Sequence, residues 1–183
     1  MRSGVLVLDR RVPLPTWALR ALGVGAFTLL TALGASVRVP LPGTPVPVTL
    51  QTFFVLAAGL MLGARDGAVS QFLYLALGAA GVPVFAGVGG FAALLGPSGG
   101  YLLGFVAAPI IVAMAARRGQ PLLGLILGEL VILGSGATQL GLLTRLGPGA
   151  TLAMGVAPFL AGDALKIALA WSVARLRNAS ATR

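Results

Sequence analysis

Apolar residues fill this chain in long blocks, and the breaks between them are short clusters of proline, glycine and charge. Blocks that are apolar all round suit helices surrounded by lipid or by other helices, each span needing roughly 20 residues. The pattern predicts an all-α integral membrane protein with six spans, at about 18–37, 48–63, 67–81, 101–116, 122–143 and 158–173. Residues 1–16 are more polar, end in Pro13 and Pro15, and read as a tail before Trp17, which sits where an interfacial aromatic belongs. Residues 32–35 imitate a signal-peptidase site behind the basic Arg10, Arg11 and Arg20, but no soluble domain follows, so the segment is kept as a helix. The expected organisation is one six-helix domain over 17–177, with terminal tails at 1–16 and 178–183.

Two breaks have a character of their own. After Arg38, Pro40, Pro42, Pro45 and Pro47 fix φ and remove four backbone donors, which favours an extended strap over a helix. A second break, residues 81–100, holds seven glycines and two prolines and precludes one continuous helix. Non-helical backbone at membrane depth is tolerated only where it is buried in protein or lines a cavity. The break between the second and third spans is assigned to the charged turn Arg65-Asp66.

Composition agrees: 57% of the 183 residues are hydrophobic and 9% charged, far below the usual charged fraction of about 25%. Between Gly67 and Ala116 there is no charge at all. The net charge of +9 does not mark a nucleic-acid binder, because the arginines lie singly or in pairs between apolar blocks without interleaved aromatics. It marks topology. With both termini in the cytoplasm, Arg2, Arg10, Arg11, Arg20, Arg65, Arg117, Arg118, Arg175, Arg177 and Arg183 fall inside and Arg38 and Arg145 outside, as the positive-inside rule requires. The strap and the glycine-rich break are then external.

Catalytic materials are scarce. Cysteine and histidine are absent, and the four acids, Asp9, Asp66, Glu129 and Asp163, lie far apart in the chain, leaving no carboxylate cluster for a hard metal ion. No catalytic residue, metal site or cofactor is expected, and an embedded enzyme is the weakest reading. No GxxxxGK[ST] loop is present to hold ATP phosphates, so ATP-driven transport needs a separate ATPase.

Asp163 and Lys166 carry the strongest signal. They stand three residues apart inside an apolar block, hence on one helix face, and each costs about 2.5–3.5 kcal/mol at a helix centre on insertion scales. Side by side, an acceptor and a donor of opposite charge can grip a compact ligand presenting both N–H and C=O groups; the bland alternative is a structural ion pair. Glu129, mid-span, is read as a structural polar residue, with protonation, pairing to Lys166 or a face toward a partner left open. Gln51, Thr52, Ser70, Gln71 and Tyr74 offer a modest polar lining, and Gly87, Gly89, Gly90, Gly99 and Gly100 expose backbone N–H groups. Small residues four apart in the first span, such as Ala21 with Gly25, allow close helix contact.

Four motifs in order, PLPGTPVPVTLQTF, LGxxGVPVFAG followed by GG, GPSGGYLLGF and PFLAGDALK, resemble the BioY family, the biotin-specific S components of energy-coupling factor (ECF) transporters, over about 31–174. The resemblance implies a six-helix S-component bundle in a bacterial or archaeal cell membrane, capturing biotin from the external side. It implies that Asp163 and Lys166 contact biotin, and that Gln51, Phe85, Gly87 and Tyr101 line the pocket. It also implies partners: a transmembrane coupling protein and cytoplasmic ATPases, reached through the small residues of the first span. Val88 stands where the family usually has glycine and Ser98 where it usually has threonine. A capture subunit or small carrier for another vitamin is the alternative.

Overall fold

The computed structural model describes residues 15–181, and α-helix dominates it. Helix α1 is Thr16–Ser36; strands β1 (Arg38–Val39) and β2 (Val48–Thr49) follow, then α2 (Gln51–Ala79), α3 (Phe91–Leu94), α4 (Gly99–Arg117), α5 (Pro121–Thr144), α6 (Pro148–Gly155) and α7 (Leu160–Ala181). The expected 1–16 tail lies outside the described residues except for its last two. Backbone helix continues in α7 through four residues of the expected 178–183 tail.

Four helices, α1, α2, α4 and α5, are long and apolar enough to cross a membrane, and α6 with α7, bent by 52°, make a fifth broken span. Helix α2 accounts for the sixth segment, because Gly63 breaks it with φ 83° and ψ −175°, a conformation reserved for glycine. The chain reverses there. Gly34 of α1 lies against Gln51 and Gly23 against Leu62, so α1 runs antiparallel to the 51–62 arm, whereas Thr28 donates to the Ser70 carbonyl at 2.9 Å on the returning 64–79 arm. The expected break at Arg65-Asp66 is thus displaced to Gly63: charge suggested a turn there, but the reversal needs positive φ. Arg65 and Asp66 instead begin the returning arm, where Asp66 accepts two hydrogen bonds from Arg20, both 2.7 Å.

Small residues let the central helices touch. A Cβ on Gly128 of α5 would stand 2.8 Å from Val112 Cγ2 of α4, and one on Gly59 equally close to the Pro109 carbonyl. Leu56, Tyr74, Leu125, Ile132 and Leu140 are fully buried in this centre, while Leu22, Leu29, Leu33, Phe72 and Leu103 project outward. That apolar exterior suits lipid, where close packing and interhelical hydrogen bonds rather than hydrophobic burial hold helices together.

The proline segment is not helical, but it is folded back and not extended: its flanks pair as antiparallel β1 and β2, Arg38 opposite Thr49 and Val39 opposite Val48, and the prolines make the loop between them with a turn at Pro42-Gly43 (Gly43 φ 85°). In the glycine-rich break, Phe85 and Val88 exchange backbone hydrogen bonds of 2.9 and 3.1 Å around Ala86 (φ 50°) and Gly87 (φ 90°), a tight turn with both central residues at positive φ. Arg38 ties the strap and the glycine-rich break together by donating from Nη1 to the Ala86 carbonyl.

Candidate ligand-binding site

Asp163 lies in the first turn of α7, its N–H donating to the Phe159 carbonyl at 2.9 Å, and Lys166 stands one turn further on. Helical geometry sets the two side chains on one face, and Lys166 Nζ reaches Asp163 Oδ1 at 2.9 Å. Nζ also donates to Thr52 Oγ1 at 3.0 Å, linking α7 to the first turn of α2. Both residues are buried, at 4% and 7% exposure. The pair is not sealed by its neighbours, because Asp163 Oδ2 has no hydrogen-bond partner among the described residues and both side chains border a cavity of about 230 Å³.

The cavity lies between the strap, the glycine-rich turn, the N-terminal turns of α2, α4 and α7 and the middle of α5, with Val46, Phe85, Leu102, Phe105, Ile132 and Phe159 among its apolar walls. Apolar walls with a few convergent polar groups are the usual make-up of a small-molecule site.

Of the residues singled out in the sequence, Gln51, Phe85, Tyr101, Asp163 and Lys166 border this cavity. Gln51 joins a chain of hydrogen bonds: Thr49 Oγ1 donates to its Oε1 at 3.0 Å, its Nε2 donates to the Tyr74 hydroxyl, and that hydroxyl donates to the Val84 carbonyl at 2.9 Å. Strand β2, both arms of α2 and the glycine-rich break are joined through this one amide. Phe85 packs edge-on against Tyr74 at 5.4 Å between ring centres and lies over Gly78, where a Cβ would collide with its ring. Tyr101 lies over Gly136 in the same way, and its hydroxyl donates to the Gly155 carbonyl at 2.6 Å. Gly87 is not on the wall; its flanking residues Ala86 and Val88 are, and its place is in the backbone turn that presents them. Val88 and Ser98, the two departures from the family pattern, both reach the lining.

The sequence reading understated two contributors. Thr52 was one of several polar residues at the span's start, yet it holds Lys166 directly. Glu129, read as structural, borders the cavity at 3% exposure, and no amine, amide or hydroxyl among the described residues donates to either of its oxygens. It faces Asp163 and Lys166, so two acids distant in the chain meet at one site. Phe105 and Phe159 are likewise on the wall, and in an aromatic-poor chain their places four residues from Tyr101 and Asp163 were the available signal.

Comparison with known proteins places this site in context. The model of the BioY family matches residues 11–183. A probable biotin transporter BioY of Pyrococcus horikoshii is 41% identical over 152 residues, covering 82% of this chain and 91% of that protein. The biotin transporter BioY of Thermotoga maritima is 34% identical over 171 residues, 87% of this chain and 96% of that one. The fold superposes on a crystal structure of the S-component for biotin from an ECF-type ABC transporter with a TM-score of 0.82, at 26% identity, over 88% of this chain and 92% of the other.

Proposed function

Given that the chain belongs to the BioY family, we propose that it is the biotin-binding S component of an ECF-type transporter, capturing the vitamin from the external side of a bacterial or archaeal membrane. It is a multi-pass membrane protein whose ligand is transported and not transformed. The observation that carries the reading is a buried ion pair with spare valence: Lys166 uses two of its three N–H donors on Asp163 and Thr52, and Asp163 keeps one oxygen free beside an apolar cavity. Biotin's ureido ring offers the matching N–H and C=O groups.

In this reading Lys166 donates to the ureido carbonyl and Asp163 Oδ2 accepts from a ring N–H, both charge-assisted bonds in a dry site. Phe85 and Tyr101 pack on the apolar ring and chain, Gln51 holds the wall in place, and Gly87 shapes the turn at the mouth. The end of the bundle bearing Arg20, Arg65, Arg117 and Arg118 faces the cytoplasm, as does each terminus, by the excess of positive charge there. Residues 17–177 form the one transmembrane domain. The partners are a transmembrane coupling protein and cytoplasmic ATPases.

Binding of labelled biotin to the purified protein tests this. Saturable binding that resists riboflavin and thiamine, and that disappears in Asp163→Asn and in Lys166→Ala, is the expected result. Undiminished affinity in both variants rejects the assignment, and displacement by another vitamin transfers it to that ligand.

A further inference from the structure

The ligand cavity occupies one end of the bundle, and a second cavity, of about 550 Å³, opens at the other. Helix α7 packs on α2 and α5, but its C-terminal half parts from α4, and the gap is floored by Ala57, Ala113 and Ala170, all buried. Alanine on three facing helices leaves width that a larger side chain would fill. Gly63 and Arg117 border the same cleft, with Arg117 Nη2 3.9 Å from where a Cβ on Gly63 would stand. Arg117 is the one charged side chain on this wall among the described residues.

No carboxylate of the described chain is available to neutralise it. Asp66 accepts two hydrogen bonds from Arg20, Asp163 holds Lys166, and Glu129 borders the ligand cavity at the far end. Arg118 and Arg65, close in the chain to Arg117 and Gly63, add further positive charge at this end. An occupant of the cleft therefore needs an anion for Arg117 and an apolar portion that can run inward over the alanines. A helix about 10 Å across would fill such a volume in little more than one turn, so a partner's transmembrane segment cannot bed there, whereas an acyl chain can.

We propose that this cleft binds an anionic phospholipid, its phosphate on the Arg117 guanidinium and an acyl chain lying between α4 and α7. A planar guanidinium takes phosphate through two parallel hydrogen bonds, and basic pockets between membrane helices are a recurrent seat for acidic headgroups. By the topology given above, the lipid comes from the cytoplasmic leaflet. The site is separate from the ligand cavity and does not depend on which vitamin occupies that end.

Native mass spectrometry of the purified protein, titrated with phosphatidylglycerol and with phosphatidylcholine of the same chains, tests this. Wild type is expected to hold one phosphatidylglycerol about 10-fold more tightly than phosphatidylcholine, the scale of a hydrogen bond to a charged group. Arg117→Gln should lose that preference, while Arg118→Gln, next in the chain but off the wall, keeps it. Ala116→Leu and Ala174→Leu, which put bulk into the cleft from α4 and α7, should weaken binding of both lipids; if one of them fails to fold, the other decides.

Equal affinity of the wild type for the two lipids overturns the proposal. So does an equal loss in Arg117→Gln and Arg118→Gln, which marks diffuse attraction to a basic surface, and so does undiminished lipid binding in the filling variants, which puts the chain elsewhere. A wild type that carries no lipid and runs as a dimer that Ala174→Leu dissociates assigns the cleft to a second copy, and the lipid site falls.

Discussion

The side-chain amide of Gln51 donates to the hydroxyl of Tyr74, twenty-three residues later, across the mouth of the hairpin that α2 makes at Gly63. Along an uninterrupted helix these residues would stand about 35 Å apart. The bond therefore reports the reversal directly, and it fixes one wall of the cavity, because the same hydroxyl carries the link onward to the Val84 carbonyl.

Removing that hydroxyl in Tyr74→Phe leaves the Gln51 amide and the Val84 carbonyl without their partner in a buried setting. A loss of about 1–3 kcal/mol in stability is expected, with biotin affinity falling because Gln51, on the cavity wall, loses the hydroxyl that holds its amide. Thermal unfolding in detergent, with and without biotin, measures both effects; an unchanged midpoint contradicts the role given to this chain of bonds.

Gly63 is the second point of sensitivity. Its positive φ makes Gly63→Ala strained by about 1–3 kcal/mol, although the space beside it is open, with Arg117 Nη2 3.9 Å from the added Cβ. Gly25→Ala in α1, where an added Cβ meets nothing within 4 Å, is the matched control and is expected to be neutral. The yield of monodisperse protein after solubilisation should fall in the first and not in the second.

Charge balance makes the ion pair non-additive. Lys166→Met leaves Asp163 buried without its ammonium and is expected to destabilise by about 3–5 kcal/mol, the usual result of removing one partner of a buried pair. Adding Asp163→Asn to it should recover part of that loss while ligand binding stays absent. A double variant less stable than Lys166→Met alone, by denaturant titration, would contradict the pairing.

Close approach of ring to backbone predicts a fourth effect. In Gly136→Ala the new Cβ overlaps the Tyr101 ring, displacing it and breaking its bond to the Gly155 carbonyl, so a loss of about 1–3 kcal/mol and weaker biotin binding are expected. Gly134→Ala, two residues away with nothing within 4 Å of the added Cβ, should leave both unchanged. Titration calorimetry with biotin on the two variants makes the comparison.

Much of this was legible in the sequence, for reasons that also explain what was not. Six apolar blocks correspond to α1, the two arms of α2, α4, α5 and the bent α6 and α7, because lipid demands length and apolarity that a sequence displays openly. Asp163 and Lys166 stood out because charge inside an apolar block is conspicuous and their spacing fixes a shared face. Glu129 was equally conspicuous, but whether it looks into a cavity or a contact depends on how α5 is rotated against its neighbours, which no local pattern encodes. The bend at Gly63 was hidden by the charges beside it, since a positive φ leaves no compositional trace beyond one glycine among 27. The β1 and β2 pairing escaped notice because it joins the flanks of the strap and not its prolines.

The reversal at Gly63 also sets how deep the cavity lies. The 51–62 arm that rises from the bend is only about 18 Å long, well short of the ~30 Å hydrocarbon thickness. Gln51 and Thr52 at its tip border the cavity beneath the strap, and a captive at their level must shed its hydration shell before seating. Leaving again means rehydrating through the same narrow collar of strap and turn, so slow escape is built into the short arm of the hairpin.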